Sequence, residues 1–240
     1  MEIEFISRPG ASPGEEIFVV GLGEGRFEQM RIHDYDRVFA IPGLYEEVVQ
    51  VRLECASPEV LADRLVEEVR RAGEPVDALS VLDIGAGNGL VGGTLRSHGV
   101  AGPIVGLDSE PEAARATHRD RPGVYADYLT ATVDQLDVDD VVARFGLTCL
   151  TGAGAIGGGH ITRNQIAEAW RSFPEGAWLA ITFHEFVMSE NEDELRDFVQ
   201  GLRSGREGTE VLHFERFRHR LRMTGEPVYF YVLIARKSAA

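Results

Sequence analysis

The sequence predicts an α/β fold: a doubly wound, mostly parallel seven-stranded sheet with helices on both faces and a C-terminal antiparallel hairpin. Three observations carry that prediction. From residue 57 onward, short apolar runs alternate with stretches of helical period, the pattern of a parallel sheet covered on both faces. The run at 79–84 is apolar apart from Asp83 and stops at Gly85, as a fully buried strand does. Two long stretches, 211–223 and 228–235, close the chain around Thr224-Gly-Glu-Pro227 and read as a hairpin.

Taken in order, residues 1–54 are acidic and weakly periodic, and form an N-terminal extension before a main domain at 55–240. Strands at 16–20 and 27–32 flank Gly21, Gly23 and Gly25, which read as a glycine turn between them. Ser57 is the expected N-cap of a helix with Pro58 at its first position and a stripe of Leu61, Leu65, Val66 and Val69. Strands follow at 79–84, 103–107, 123–128, 147–150 and 177–183. Between them Ser109-x-x-Glu112 and Thr162-x-x-Gln165 are capping boxes, 138–145 is a helix, and Ser189-x-x-Glu192 caps a last helix carrying Leu195, Phe198, Val199 and Leu202. In the first hairpin strand, Arg216, Arg218, Arg220 and Arg222 fall on one face by period two. Such a stripe either docks an anionic substrate or partner, or protects a sheet edge from aggregation.

Composition bounds the partners. The 240 residues include 24 basic and 39 acidic ones, a formal net charge of −15, which opposes binding to nucleic-acid backbones. With 44% hydrophobic and 26% charged residues the chain is globular. No apolar run approaches the roughly 20 residues of a membrane span, and the opening residues lack the basic and apolar regions of a secretory signal. Cys55 and Cys149 are too few and too far apart for a disulfide framework or a zinc site. A cytoplasmic protein without metal, nucleic acid or membrane partners is expected.

Chemistry concentrates in Val81-Leu-Asp-Ile-Gly-Ala-Gly-Asn-Gly89, a strand entering a glycine turn and then a helix. Gly85, Gly87 and Gly89 allow a sharp bend and close approach of a ligand, with Ala86 between them. The helix amides then start beneath that ligand, at the turn where doubly wound sheets bind cofactors. Nineteen residues beyond Gly89, Asp108 ends the next strand, where an acid accepts both hydroxyls of a ribose. A nucleoside-containing cofactor is indicated. The dinucleotide pattern needs a small residue where Leu90 stands, and Asp83 beside the turn suits a cationic ligand better than a pyrophosphate.

This segment resembles motif I of the class I S-adenosylmethionine-dependent methyltransferases, and the resemblance spans about residues 55–237. It implies that Asp108, with Ser109, binds the ribose, that Asp127 and Tyr128 meet the adenine edge, and that Thr151, Gly152 and Ala153 face the methyl donor. The closing hairpin is similar to the last two strands of that family. A narrower likeness is to the subgroup named after the Williams–Beuren region methyltransferase. It rests on Tyr35-Asp36 with Tyr45, on Ser57-Pro58, and on Gly152-Ala-Gly-Ala-Ile-Gly-Gly-Gly-His160.

The resemblance implies methyl transfer from S-adenosylmethionine, with S-adenosylhomocysteine as product, to an oxygen, nitrogen or carbon of a small molecule. Positioning and exclusion of water supply much of such catalysis. Where a base is needed, His160, His184 and Glu185 are the candidates, and the sequence does not choose among them. Three other readings stay open: binding of the cofactor without methyl transfer, a nicotinamide-dependent oxidoreductase on the same architecture, and a protein methyltransferase, which would need an open groove for a peptide that the sequence does not show. The N-terminal extension is expected to serve as a lid, a substrate wall or the arm of a homodimer. Removing residues 1–33 is expected to spare folding and weaken ligand binding.

Overall fold

The structure, a computed structural model, describes residues 1–6, 10, 13–157, 160–189, 194–206 and 208–238. The first strands form a small antiparallel sheet, β1 (Glu2–Phe5), β2 (Ile17–Gly23) and β3 (Arg26–Arg31), in the order β1-β2-β3, with alternate burial of Phe18 and Val20 along β2. The predicted hairpin is β2–β3, and β1 is an addition to it. Helix α1 (Tyr35–Ala40) and a π-helical turn over Glu46–Arg52 follow.

From there the chain alternates. Helix α2 (Ser57–Arg71) leads to β4 (Val81–Ile84), α3 (Leu90–Ser97), β5 (Ile104–Asp108), α4 (Pro111–Asp120) and β6 (Asp127–Thr130). Next come α5 (Val138–Phe145), β7 (Cys149–Ile156), α6 (Arg163–Arg171), β8 (Trp178–His184) and α7 (Glu194–Arg203). The hairpin of β9 (Thr209–Leu221) and β10 (Pro227–Lys237) ends the chain. The seven-stranded sheet has the order β6-β5-β4-β7-β8-β10-β9, with β10 antiparallel to both neighbours. Neither end of that order is the first strand. Among the described residues no helix is long and apolar enough to cross a membrane.

Alternation along β4 shows how the sheet is covered. Val81 joins the cluster under Leu61, Leu65 and Val69 of α2 and Leu95 of α3, while Leu82 and Ile84 face the helices α5, α6 and α7. Burying both faces explains why β4, β5 and β8 read as continuous apolar runs. A third cluster joins Phe18, Val20, Met30 and Ile32 to Leu44, Val48, Leu53 and Met223. Residues 1–33 therefore share a core with the rest of the chain, so the expectation that their removal spares folding is revised.

Local expectations also shift. Ser57 does not cap α2, which starts after Ala56; its hydroxyl lies 2.6 Å from His219 Nδ1 instead. At α4 the capping oxygen comes from Glu110, which accepts from the Glu112 amide, and not from Ser109. The capping box of Thr162 and Gln165 forms as expected. Ser189 ends a short 3-10 turn over Glu185–Met188, and Glu192 lies outside the described residues. The arginine stripe is broken. Arg218 pairs with Tyr229 and Arg220 with Val228, so His219 is an extra residue, a bulge that turns the strand. Arg216 and Arg218 stay exposed on Glu185 and Glu54, whereas Arg220 turns inward onto Glu16.

Candidate cofactor and acceptor site

A cavity of about 500 Å³ opens where the carboxyl ends of β4, β5 and β7 meet the N-terminal segment. Its floor is the glycine turn. Gly85 takes φ +66°, and a Cβ there would sit 2.3 Å from Ala155 Cβ, so no larger residue fits without movement. Gly89 takes φ +86° and opens α3 without a side-chain cap. Leu90 and Val91, in the first turn of that helix, line the cavity. The amide end of α3 thus faces the cavity, where a carboxylate is favoured.

The turn is gripped from behind. The Gly87 carbonyl accepts from Tyr128 Oη at 2.6 Å and from Thr117 Oγ1 at 3.0 Å. Its amide donates to Asp108 Oδ2 at 2.9 Å, and the Glu110 amide donates to Asp108 Oδ1 at 2.9 Å. Each Asp108 oxygen keeps lone-pair capacity after one bond, so two neighbouring hydroxyls can still be bound. Burial raises the Asp108 pKa, while the amides of Glu110 and Gly87 pull it back.

Asp83 is placed differently from the other acids. It is wholly buried beneath the turn, accepts from Tyr125 Oη at 2.7 Å and from Thr151 Oγ1 at 2.9 Å, and does not line the cavity. Burial pushes its pKa up to about 7 against the pull of those two hydroxyls. Its contact with any ligand is therefore indirect, through the shape of the turn.

The N-terminal segment forms the roof. Tyr35 and Phe39 stack with centroids 5.5 Å apart, and Tyr45 lies 4.9 Å from Phe39. Phe39 stands over Gly87, 3.5 Å from where a Cβ would be. Glu46 fastens this roof to the turn, accepting from Asn88 Nδ2 at 2.7 Å and Arg121 Nη1 at 2.7 Å. His33 lies 5.5 Å from His160, ring to ring, and burial, with His160 second, lowers its pKa to about 4. At the far wall His219 stacks on Phe230 at 3.8 Å, and burial lowers its pKa to about 3.

Of the residues singled out in the sequence, Gly85, Ala86, Gly87, Asp108, Ser109, Tyr45 and His160 line this cavity. Gly89, Tyr128, Thr151 and Gly152 stand behind it, as supports of the turn and of β7. Asp127 stands apart: β6 runs 127–130, so this residue opens the strand, and Arg144 lies 3.5 Å from it. The rim beyond β6 is formed by Ala131, Thr132 and Val133, which do line the cavity. His184 packs on Phe186 and Phe230 outside it, with Nδ1 accepting from the Phe186 amide. Burial lowers its pKa. Glu185 pairs outward with Arg216.

Sequence reasoning missed Asn88, the 131–133 rim, Phe39, Gln50 and His219 as lining residues. One signal was readable: Thr132-x-x-Gln135 is a capping box, realised here, and it marks the end of the preceding strand.

No protein-family model matches the sequence, and no curated protein matches it. Solved structures do share its fold. A proposed RNA methyltransferase from Pyrococcus horikoshii superposes with a TM-score of 0.54 at 14% identity, covering 74% of this chain and 81% of that one. Magnesium protoporphyrin IX methyltransferase from Synechocystis, solved with bound S-adenosylmethionine, gives 0.51 at 16% identity over 74% and 78%. Protein 1320 of Thermoplasma acidophilum gives 0.50 at 17% over 75% and 86%. At these identities the likeness is one of fold, and the chain has the fold of the class I methyltransferases.

Proposed function

We propose that the protein binds S-adenosylmethionine in this cavity and transfers its methyl group to a small-molecule acceptor. The observation that carries the reading is the conjunction at Asp108. Its carboxylate lines the cavity with both oxygens free to accept again, directly beside a turn too tight for any side chain at Gly85. The residues present fit the cofactor: Asp108 for the ribose hydroxyls, the amide end of α3 for its carboxylate, and the 131–133 rim for the adenine. When bound, the cofactor supplies a methyl group on a sulfonium, an electrophile that needs little activation.

The chain's own residues then position and dry the site. The Tyr35, Phe39 and Tyr45 rings close over the glycine turn and keep water out, and Glu46 holds them down. An acceptor confined by such a roof is small, which also agrees with the acidic charge of the chain. His160 lines the cavity and, of the three base candidates, is the one set to receive a proton from an acceptor. The finer likeness to the Williams–Beuren region subgroup gains support because Tyr35, Tyr45, Ser57, Pro58 and Ala153–Ala155 all line the same cavity.

Calorimetric titration with S-adenosylhomocysteine tests the reading. It expects saturable heat at one site per chain, and a thermal shift with that ligand but none with a nicotinamide dinucleotide. A shift with the dinucleotide alone would reverse the assignment. Cofactor binding with no methylated product across acceptors would leave a binding protein in place of a transferase.

A further inference from the structure

The bulge at His219 takes Arg220 off the exposed face that Arg216 and Arg218 share and turns it toward the cavity, whose wall it joins. Bulges commonly re-aim a side chain beside a binding site. Arg220 is buried together with Glu16, yet the two are not equivalent: Arg220 lines the cavity and Glu16 does not. The cation faces the cavity, with its counter-charge set behind. A buried ion pair is weak evidence for stability, so its place in this wall asks for another reason.

The bonds of the pair leave donors over. Among the described residues, Arg220 Nη2 donates to Glu16 Oε2 and Nη1 to the Leu221 carbonyl at 2.8 Å. Those bonds use two of the five N–H groups of a guanidinium. Glu16 is held from both sides, because its other oxygen accepts from the Met223 amide at 2.7 Å.

Charge is also divided along the cavity. Among the described residues that line it, Arg220 is the one arginine or lysine, and Asp108 and Glu110 are the acids. They come from opposite sides of the sheet, since β5 adjoins the β6 edge and β9 forms the other edge. Burial is the main cause of the displaced pKa values of His33, Tyr35, Cys55 and His219, all of them lining groups. At each of the four the positive charge of Arg220 acts as well, and Glu16 opposes it at His33. An anion entering here meets a cation it can bond, whereas a second cation is repelled. Ile32, Val49 and Tyr45, which pack in the same cluster as Met223, add an apolar wall. The net charge of −15 acts from farther off and is screened beyond about 8 Å at physiological salt.

We infer that Arg220 sets the specificity of the acceptor site, taking the carboxylate of a small organic acid whose apolar body lies against Ile32, Val49 and Tyr45. That this acid is the methyl acceptor rests on the methyl-transfer reading; the anion site does not.

The test uses the full chain saturated with S-adenosylhomocysteine. Benzoates, benzamides and benzylamines of matched size are screened in equal numbers by ligand-observed NMR, against the parent chain and against Glu16→Leu with Arg220→Met. Benzoates are expected to dominate the hits. The double variant is expected to weaken them roughly tenfold to a hundredfold, as for loss of a hydrogen bond to a charged group. Domination by benzamides or benzylamines, no hits, or benzoates that keep their affinity in the double variant overturns the inference. Exchanging both partners for apolar groups of similar volume is often neutral for folding, and affinity for S-adenosylhomocysteine reports whether the variant has folded. Should it not fold, Glu16→Gln decides: it frees Arg220 of its counter-charge, so benzoates should bind severalfold tighter, and unchanged or weaker binding refutes the site. Should neither variant fold, a crystal of the parent chain soaked with the tightest benzoate decides. A carboxylate within hydrogen-bond distance of the Arg220 guanidinium supports the inference, and one bound elsewhere refutes it. If S-adenosylhomocysteine gives no heat, the methyl-transfer reading falls, and the same screen on the unliganded chain still judges the anion site.

Discussion

The Gly87 amide donates to Oδ2 of Asp108 across 2.9 Å, tying the first strand-to-helix turn to the end of the second strand. One carboxylate thus sets the turn and presents itself to the cavity. Asp108→Asn keeps one carbonyl oxygen but loses the charge and one acceptor. A hydrogen bond to a charged group contributes about 1.5–3 kcal/mol, so affinity for S-adenosylhomocysteine is expected to fall by roughly tenfold to a hundredfold. The melting temperature should fall by only a few degrees, since about 1 kcal/mol moves a chain of this size by roughly 2–4 °C. Unchanged calorimetric affinity would remove Asp108 from the ribose site.

Gly85 makes a sharper test, because the obstacle is a single methyl group. Gly85→Ala sets a Cβ against Ala155 Cβ, and its φ of +66° adds about 1–2 kcal/mol of backbone strain. Overpacking costs about 1–3 kcal/mol more. Ala155→Gly in the same chain removes the clash but not the strain. Denaturant melts should therefore show partial rescue in the double variant. Full rescue would mean that strain is negligible; none would mean that Ala155 is not the obstacle.

The main sheet was legible because burial on both faces writes itself into β4, β5 and β8 as apolar runs, and capping chemistry marks α6. The glycine turn was legible because Gly85 and Gly89 have no alternative there. The rest depends on tertiary partners. Ser57 has the chemistry of a cap but spends its hydroxyl on His219, 162 residues away. A one-residue bulge at His219 reverses the face of Arg220, which period-two reasoning cannot foresee. The resemblance put Asp127 at the adenine edge, but the strand expected over 123–128 runs from Asp127 to Thr130, so Asp127 opens it and the rim falls to the residues that follow. The roof is fastened by Glu46, in a π-helical turn for which sequence carries no periodic signature.

Asp83 and the two buried histidines pull stability in opposite directions with pH. The Asp83 pKa stands near 7 in the fold, against about 4 in an unfolded chain. Its contribution is fully present below about pH 4 and is lost as pH rises through 7, because the unfolded chain releases its proton first. His33 and His219, near 4 and 3 in the fold against about 6.5 unfolded, act the other way. Their contribution is lost as pH falls below 6.5. Asp83→Asn should remove only the alkaline limb. Measured by urea unfolding, the variant should gain on the parent by a few kcal/mol, on the order of 1.4 per pH unit, between pH 4 and 7, and no further above it. Parallel curves across that range would show that Asp83 ionises normally.

Glu16 and Arg220 decide whether the N-terminal sheet is a detachable arm. Both side chains are nearly solvent-free, and Glu16 also accepts from the Met223 amide at 2.7 Å, so the pair joins the start of β2 to the last turn of the main sheet. Removing one partner leaves a buried charge, at a cost of about 3–5 kcal/mol, whereas replacing both by apolar groups of similar volume is often neutral. Glu16→Ala should therefore destabilise the whole chain, and Glu16→Leu with Arg220→Met should recover most of the loss. Deletion of residues 1–33 strips Phe18, Val20, Met30 and Ile32 from the third core cluster and unpairs Arg220 as well. The truncated chain should melt far below the parent or aggregate. A truncated chain that melted cooperatively at the parent temperature would show that the N-terminal sheet is an appendage and not part of the folding unit.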